Sequence, residues 1–145
     1  LKDPTGVLNV SWDCVAAAGT NGATVFTENV TLGSSLSVGA SKRGNRNIIP
    51  ITGGTSTGRV KGSVLPGGGD FQILDSGFVL DARYTMLSED KELILVRNCG
   101  PASKLIPVFE ARSDGPYAFL NENNWVSSSP SVGLGTVTLT ISEKR

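Results

Sequence analysis

The sequence TVTLTI at Thr136–Ile141 alternates hydroxyl and apolar side chains residue by residue. Such a period of two is typical of a strand with one buried face and one solvated face. Similar short segments recur along the chain, and clusters of Gly, Asn, Asp, Ser and Pro, including Gly53-Gly54, mark turns between them. Further strands are predicted at Leu8–Cys14, Ala23–Leu32, Ile48–Thr52, Gly58–Leu65, Phe71–Leu74, Phe78–Leu87, Glu92–Asn98 and Leu105–Arg112.

About eight or nine short strands, 18 glycines and no helical period predict an all-β protein, built as an antiparallel barrel or a sandwich. A chain of 145 residues has the length of one domain and is large enough to enclose a modest cavity. We therefore expect a single domain over residues 1–145.

The composition excludes several classes of function. The chain has no histidine, which rules out Ser-His-Asp and Cys-His catalysis and metal sites built on imidazole. Lys plus Arg (13) balance Asp plus Glu (13), and the basic cluster Ser41–Arg46 lies among Gly and Asn, as in a solvated loop. Nucleic acid and anionic membranes are therefore not expected as partners. No apolar run reaches the ~20 residues of a membrane helix.

The two cysteines leave the compartment open. Cys14 and Cys99 are too few for a disulfide scaffold and lack a metal-binding spacing. One bridge between them would suit an oxidising compartment, and two free buried thiols are the alternative. The first residue is Leu1 rather than Met, so an upstream segment was removed, which is either a signal peptide or other residues. Sequons at Asn9 and Asn29 would suit secretion, but about two could arise by chance in a chain so rich in Ser and Thr. Both a secretory or extracellular location and a cytoplasmic one stay open, with a weak preference for the first.

The stretch GRVKGSVLPGGGDFQ at Gly58–Gln72 is the strongest pointer to a site. A β-type run breaks at Leu65-Pro66, passes three glycines and resumes at Asp70. Because glycine lets the backbone approach a ligand closely, Asp70 begins a strand where a ligand could bind. A second polar group, LDARYT at Leu80–Thr85, follows after one turn signal, so two charged clusters should lie close together.

Hairpin registers predict which of these side chains share a face. A two-residue turn at Ser76-Gly77 would set Asp70 opposite Arg83. A similar turn in the next hairpin would extend the pairing to a third strand, and a slip of one residue would reverse the faces. The predicted polar face carries Asp70, Gln72, Asp81, Arg83 and Asn98, and the predicted apolar face carries Phe71, Ile73, Leu80, Ala82, Tyr84, Met86, Leu93 and Leu95.

Two orientations of that sheet are open. In the first, the apolar face fills the core and the polar face is a solvated surface whose ion pairs contribute less than ~1 kcal/mol. In the second, the polar face lines a barrel cavity, and neighbouring subunits cover the apolar face. There Arg83 would keep Asp70 and Asp81 ionised, or a desolvated carboxylic acid among them would stay protonated and act as a general acid.

Five motifs occur together and in order: IPITGG at Ile49–Gly54, the glycine-rich stretch Gly58–Gln72, LDARYT at Leu80–Thr85, VRNCG at Val96–Gly100 and YAFLN at Tyr117–Asn121. In these motifs the chain resembles the domain-of-unknown-function 3237 family over roughly Pro50–Val126. It departs from that pattern in its long N-terminal portion, in Phe71, where the family usually has Trp, and in Cys99.

The resemblance implies a small closed antiparallel β-barrel of about eight strands with an internal cavity, similar to those of allene oxide cyclases and dirigent proteins. Such barrels bind apolar small molecules in the lumen and commonly associate through their outer surfaces. We therefore expect an apolar small-molecule ligand, a homo-oligomer that is a dimer or trimer, and no metal or other cofactor. These expectations favour the second orientation of the sheet.

Matching positions supply the candidate site residues. Asp70 is the predicted catalytic acid or base, and Arg83 is the predicted anion clamp or oxyanion stabiliser. The simpler roles for the same residue types are surface charge, strand-end capping and core packing. The predicted substrate-binding residues are Asp81, Tyr84, Asn98, Tyr117 and Asn121, with Glu110 as a spare acid and Trp12 and Trp125 as core or rim residues.

Three functions follow from these residues. The first is a cofactor-independent cyclase or isomerase, including a pericyclic reaction or a lyase, acting on an apolar secondary metabolite. The second is a non-catalytic carrier or dirigent-like protein that binds the same kind of molecule and contributes shape alone. The third is a structural or lectin-like secreted domain, which would have no apolar cavity.

Overall fold

The structure, a computed structural model, describes residues 11–144, in which eleven strands form one antiparallel sheet. A 3-10 helix at Ala118–Asn121 precedes the last three strands. No helix in this part of the chain has the length and apolar character needed to span a membrane. The strands are β1 (Asn21–Leu32), β2 (Leu36–Ser41), β3 (Gly44–Gly58), β4 (Gly62–Val64), β5 (Gly68–Ile73), β6 (Val79–Ser88), β7 (Leu93–Pro101), β8 (Ile106–Glu110), β9 (Trp125–Ser127), β10 (Ser131–Val132) and β11 (Thr136–Lys144).

The sheet curls into a barrel-like shape. Its strands follow the order β10, β11, β1, β3, β4, β6, β7, β8, with β5 bridging β3 and β6, β2 on β3, and β9 on β11. The two ends of the sheet meet where β8 contacts β9, and the Ser127 N–H donates to the Leu105 carbonyl at 3.4 Å. The predicted all-β antiparallel fold is confirmed, with β2, β9 and β10 as additional strands within the described residues.

Alternation along each strand separates the core from the surface. On β6, Tyr84 and Met86 are buried, and their partners on β7, Val96 and Ile94, are buried as well. Ile141 on β11 is fully buried, as the TVTLTI pattern predicts for its apolar positions. Burial of each such side chain contributes roughly 1.5–3 kcal/mol before entropic costs, so this face drives the folding of the sheet.

The predicted turn at Gly53-Gly54 is wrong, because β3 continues through both residues. The glycines reflect close strand packing instead. A Cβ atom on Gly54 would lie 2.4 Å from the carbonyl oxygen of Asn29 on β1, so a side chain is excluded there.

The predicted hairpin registers are wrong by one residue. Asp70 pairs with Ala82 instead of Arg83, because Ile73 pairs with Val79 and five residues form the turn. The next hairpin shifts in the same way, since Leu87 pairs with Leu93. A shift of one residue in the pairing changes which side chains of neighbouring strands share a face.

The face assignment changes accordingly. Asp70, Gln72 and Asn98 share the inner face with Tyr84. Asp81 lies on the outer face, and the predicted apolar set is divided between the two sides of the sheet in the same way.

A disulfide bond joins Cys14 to Cys99 and attaches the N-terminal segment to β7. Their Cα atoms are 5.8 Å apart. The Arg97 guanidinium strengthens this attachment by donating to the Trp12 carbonyl at 3.2 Å, and the Asn123 amide donates to the Ser11 carbonyl at 2.8 Å. Residues 11–14 therefore lie against the barrel without forming the predicted strand; the rest of that prediction and the Asn9 sequon lie outside the described residues.

Candidate functional site

A cavity of about 520 Å³ lies inside the curled sheet. That volume is within the range of small-molecule sites. Phe78 and Val132 line the cavity and are also exposed, which places them at its entrance. The walls are mainly aliphatic and include Val30, Ile51, Leu80, Ala82, Leu105 and Leu139.

Three side chains form a row across one wall of the cavity, which we call the Ala82 row: Asp70 on β5, Ala82 on β6 and Asn98 on β7. The register creates this row, since Ala82 pairs with both of its neighbours. Adjacent strands are ~4.8 Å apart, so the two polar residues are separated by ~10 Å with only a methyl group between them. The row is a shallow slot with a polar group at each end.

Asp70 is held in place by hydrogen bonds. The Gln72 amide donates to Oδ2 at 2.9 Å, and the Asp81 backbone N–H donates to Oδ1 at 3.1 Å. Asn47 donates to Gln72 Oε1 at 3.1 Å, which fixes the orientation of the Gln72 amide. Burial raises the pKa of Asp70 above its ordinary value, although the two donors partly oppose this effect. A carboxyl group that retains its proton more readily is suited to general acid catalysis.

Tyr84 connects the cavity to a buried carboxyl group. Its ring lines the cavity next to the Ala82 row, and its hydroxyl donates to Glu28 Oε2 at 2.6 Å. Glu28 on β1 is fully buried, and burial raises its pKa from 4.5 to about 7, against the opposing effect of the Tyr84 hydrogen bond. Burial also raises the pKa of Tyr84 well above 10, with a further contribution from the charge of Glu28. Glu28 therefore gains or loses a proton near neutral pH, whereas the Tyr84 hydroxyl keeps its own.

Sequence reasoning missed Glu28. A signal for it was present in β1, where Phe26, Glu28 and Val30 occupy successive inward positions and only the middle one is charged. A carboxyl group among the inward-facing, apolar positions of a strand is costly to bury and is therefore a candidate for a functional role.

Asp81 and Arg83, two of the predicted site residues, lie on the outer face of the sheet. Asp81 forms ion pairs with Arg97 at 3.0 Å and with Arg83 at 3.2 Å, and half of the Arg83 side chain is exposed. Burial alone would raise the pKa of Asp81, but the hydrogen bonds from Arg97 and Arg83 outweigh it and hold the pKa below its usual range. This cluster stabilises the surface and does not contact the cavity.

Tyr117 and Asn121 also lie away from the cavity. The Tyr117 hydroxyl donates to Asp90 Oδ1 at 2.8 Å. Asn121 exchanges hydrogen bonds with the backbone N–H and C=O of Ala111, at 2.8 and 2.9 Å, which is the capping role weighed for it above. The inner wall thus brings together Asp70, Tyr84 and Asn98, but not the other four predicted residues.

No group of three or more Asp, Glu or Cys side chains within residues 11–144 is arranged to hold a metal ion. Both cysteines belong to the disulfide.

The glycine-rich motif positions Asp70 by letting β5 approach β6. A Cβ atom on Gly68 would lie 2.5 Å from the Arg83 carbonyl oxygen and 2.6 Å from the Tyr84 Cβ, whereas a Cβ on Gly69 would meet only ordinary contacts. We therefore expect Gly68→Ala to lower the free energy of unfolding by about 2 kcal/mol through overpacking. Gly69→Ala, the matched control, should change it by less than about 0.5 kcal/mol. Urea denaturation of both variants measures the difference, and equal stabilities would disprove the close-approach explanation.

Comparison with known proteins identifies the family. A family model described as "Protein of unknown function (DUF3237)" matches residues 21–104, more than half of the chain. The chain belongs to the DUF3237 family. The matched region contains β1 to β7 and therefore every residue of the Ala82 row, as well as Glu28 and Tyr84.

Relatives of this DUF3237 chain include a UPF0311 protein of Bradyrhizobium diazoefficiens, which is 40% identical over 78 residues, covering 52% of this chain and 51% of the relative. A UPF0311 protein of Rhodopseudomonas palustris is 39% identical over 79 residues, covering 52% of each. The chain thus spans about half the length of the curated relatives it matches.

Solved structures share the fold of the DUF3237 chain. A conserved protein of unknown function from Rhodopseudomonas palustris superposes with a TM-score of 0.74 at 26% identity, covering 87% of this chain and 99% of the other. A β-barrel-like protein from Acinetobacter baumannii gives 0.73 at 27% identity, with coverage of 84% and 94%. A protein described as an enzyme from Penicillium herquei gives 0.67 at 21% identity, with coverage of 89% and 100%; this likeness concerns the fold alone.

Proposed function

We propose that the cavity is the active site of a cofactor-independent enzyme, a cyclase or isomerase that acts on an apolar secondary metabolite; a pericyclic or lyase reaction belongs to the same class. The observation that carries the proposal is a pair of proton-transfer groups on one wall of an apolar cavity. Asp70 and Tyr84 both line it, and Tyr84 is linked to the buried Glu28. The aliphatic walls favour an apolar substrate and would hold a flexible one in a reactive conformation.

The chemistry follows from the two carboxyl groups. Asp70, whose pKa is raised by burial, donates a proton or a strong hydrogen bond to a carbonyl oxygen of the substrate. At and above about pH 7, where Glu28 is ionised, Tyr84 takes a proton from the substrate as it passes its own to Glu28. One proton enters the wall at Tyr84 and one leaves at Asp70, and exchange with solvent restores the starting state. Arg83 lies outside the cavity and takes no part in this scheme.

The test compares variants on the natural substrate. Metabolites that accumulate after deletion of the gene in its host are extracted, treated with the purified protein and analysed by mass spectrometry. We expect Asp70→Asn to reduce turnover by about 100-fold or more with little loss of substrate binding. Asp114→Asn, at an exposed position, is the matched control. Full turnover by Asp70→Asn would contradict the assignment of Asp70 as the acid. A large loss of turnover in Arg83→Met would support the role first predicted for Arg83.

The second candidate is a non-catalytic carrier or dirigent-like protein. The same apolar walls favour a carrier. Unlike an enzyme, a carrier has no turnover, so no substitution could reduce it. The structural or lectin-like alternative predicts no apolar cavity, so the cavity argues against it.

Two further expectations are retained as proposals. Phe71 on β5 and Leu93 and Leu95 on β7 are each at least 40% exposed on the outer face, which supports association of the barrel into a dimer or trimer. The Cys14–Cys99 bond supports an oxidising, secretory location.

A further inference from the structure

Two buried oxygen atoms beside the cavity have no hydrogen-bond partner in residues 11–144: Asn98 Oδ1 and Glu28 Oε1. Asn98 lines the cavity, and both residues are at least 98% buried. A buried acceptor without a donor lowers stability, so native proteins rarely leave one unpaired without a reason. A ligand that supplies a donor would remove this cost.

The orientation of the Asn98 amide is fixed by its neighbours. The Ser127 hydroxyl donates its single proton to the Ser128 carbonyl at 2.9 Å. Ser127 Oγ therefore accepts from Asn98 Nδ2, at 3.2 Å, and Asn98 presents Oδ1 as its free atom. An amide turned the other way would place two acceptor oxygens against each other, because Ser127 has no second proton.

Of the other polar groups on this wall, Gln72 is engaged with Asp70 and Asn47. Tyr84 donates its proton to Glu28, so its hydroxyl has no proton to offer a ligand. Asp70 keeps acceptor capacity beyond its two existing donors. Acceptor oxygens of Asp70 and Asn98 thus lie on the two sides of Ala82.

The cavity offers no cation to pair with a ligand anion. No lysine or arginine is among the residues lining the cavity in the described part of the chain. Arg83 and Arg97 are bound to Asp81 on the other side of the sheet. A ligand carboxylate or phosphate would meet Asp70 and, behind Tyr84, Glu28, without any compensating cation.

We propose that the ligand is a neutral, largely apolar molecule with hydroxyl groups at two opposite edges. Its body lies on Ala82, one hydroxyl donates to Asn98 Oδ1, and the other donates to Asp70. Two hydrogen bonds of ~2.8 Å take up about half of the ~10 Å between the strands that carry Asp70 and Asn98, so the two hydroxyl groups must lie across the narrow width of a body of one or two fused rings. This inference deepens the proposed function, because it rests on the same cavity, but it concerns recognition and holds for an enzyme or a carrier.

The test measures binding of four probes by isothermal titration calorimetry. The probes are a dihydroxynaphthalene with one hydroxyl on each ring, its dimethyl ether, the matching dicarboxylate and the matching bis(aminomethyl) compound. We expect the diol to bind at least tenfold more tightly than each of the other three. Asn98→Ala should weaken the diol about tenfold and leave the ether unchanged, whereas Asn29→Ala, at an exposed asparagine on β1, should have no effect.

Ala82→Leu provides a second variant that leaves the polar network intact. It fills the slot and should abolish binding of the diol, and circular dichroism confirms that it is folded. Equal binding of diol and ether, tighter binding of the dicarboxylate or the diamine, or no binding of any probe would overturn the inference. Tight binding of the diol without turnover of any host metabolite would leave the inference intact and remove only the enzyme proposal.

Discussion

Glu28→Gln is expected to remove most of the loss of stability that the protein undergoes between pH 4.5 and about 7. Glu28 has a pKa of about 7 in the folded protein, compared with 4.5 when exposed, because its carboxylate would be buried among apolar side chains. A pKa difference of this size corresponds to about 3 kcal/mol of unfolding free energy.

The direction of the effect follows from proton binding. Below pH 4.5 both states hold the proton, and the neutral carboxylic acid is buried at little cost. Between pH 4.5 and 7 the unfolded state has lost the proton while the folded state retains it, so the free energy of unfolding falls as the pH rises. Above about pH 7 both states have lost the proton, and Glu28 lowers the free energy of unfolding no further. The raised pKa of Asp70 adds to the decrease in the same direction, starting from 3.8.

Guanidinium denaturation at half-unit steps from pH 5 to pH 8 measures this effect. The glutamine variant should show a much shallower profile, with only the contribution of Asp70 left, because its residue 28 has no proton to lose and retains an acceptor for the Tyr84 hydroxyl. Glu110→Gln, at an exposed position on β8, should follow the wild-type profile. A wild-type profile that rises or stays level over this range would mean that Glu28 is not buried as described.

Loss of the Cys14–Cys99 bond is expected to lower the free energy of unfolding by about 4 kcal/mol. The bond joins residues 85 positions apart, and closing so long a loop removes much conformational entropy from the unfolded chain. The inner wall does not use either cysteine, so binding to the cavity should persist at temperatures where the variant remains folded.

The double variant Cys14→Ser, Cys99→Ser tests this prediction in urea, with and without reductant. Reductant should destabilise the wild type by the same amount as the double substitution, and it should not affect the variant. The prediction would be contradicted if the wild type kept its stability in reductant while thiol counting showed that the disulfide bond was fully reduced.

The fold was readable from the sequence because burial imposes a period of two on the strands. The alternation in β11 and the apolar positions of β6 required no knowledge of distant contacts. Gly53 and Gly54 misled the prediction, since a glycine needed for close packing looks the same in sequence as a glycine in a turn. Short strands such as β10 depend on pairing with a neighbour and have too few residues for a pattern.

The site was harder to predict because it depends on register. Asp70 was identified from the glycine motif alone, but its partners depended on the length of one turn. The turn has five residues instead of the two expected from Ser-Gly, since Ile73 pairs with Val79, and Ser76 and Phe78 in it both adopt positive φ angles. That single change exchanged Arg83 for Ala82 beside Asp70 and converted an expected ion pair into an apolar slot.

Native mass spectrometry of the protein from its own host, compared with Ala82→Leu purified in the same way, tests most directly whether the cavity is a ligand site. The wild type should carry an added mass of a small neutral organic molecule that is lost on denaturation, and the variant should be empty. A wild type without added mass, or the same added mass in both proteins, would contradict binding on the Ala82 row.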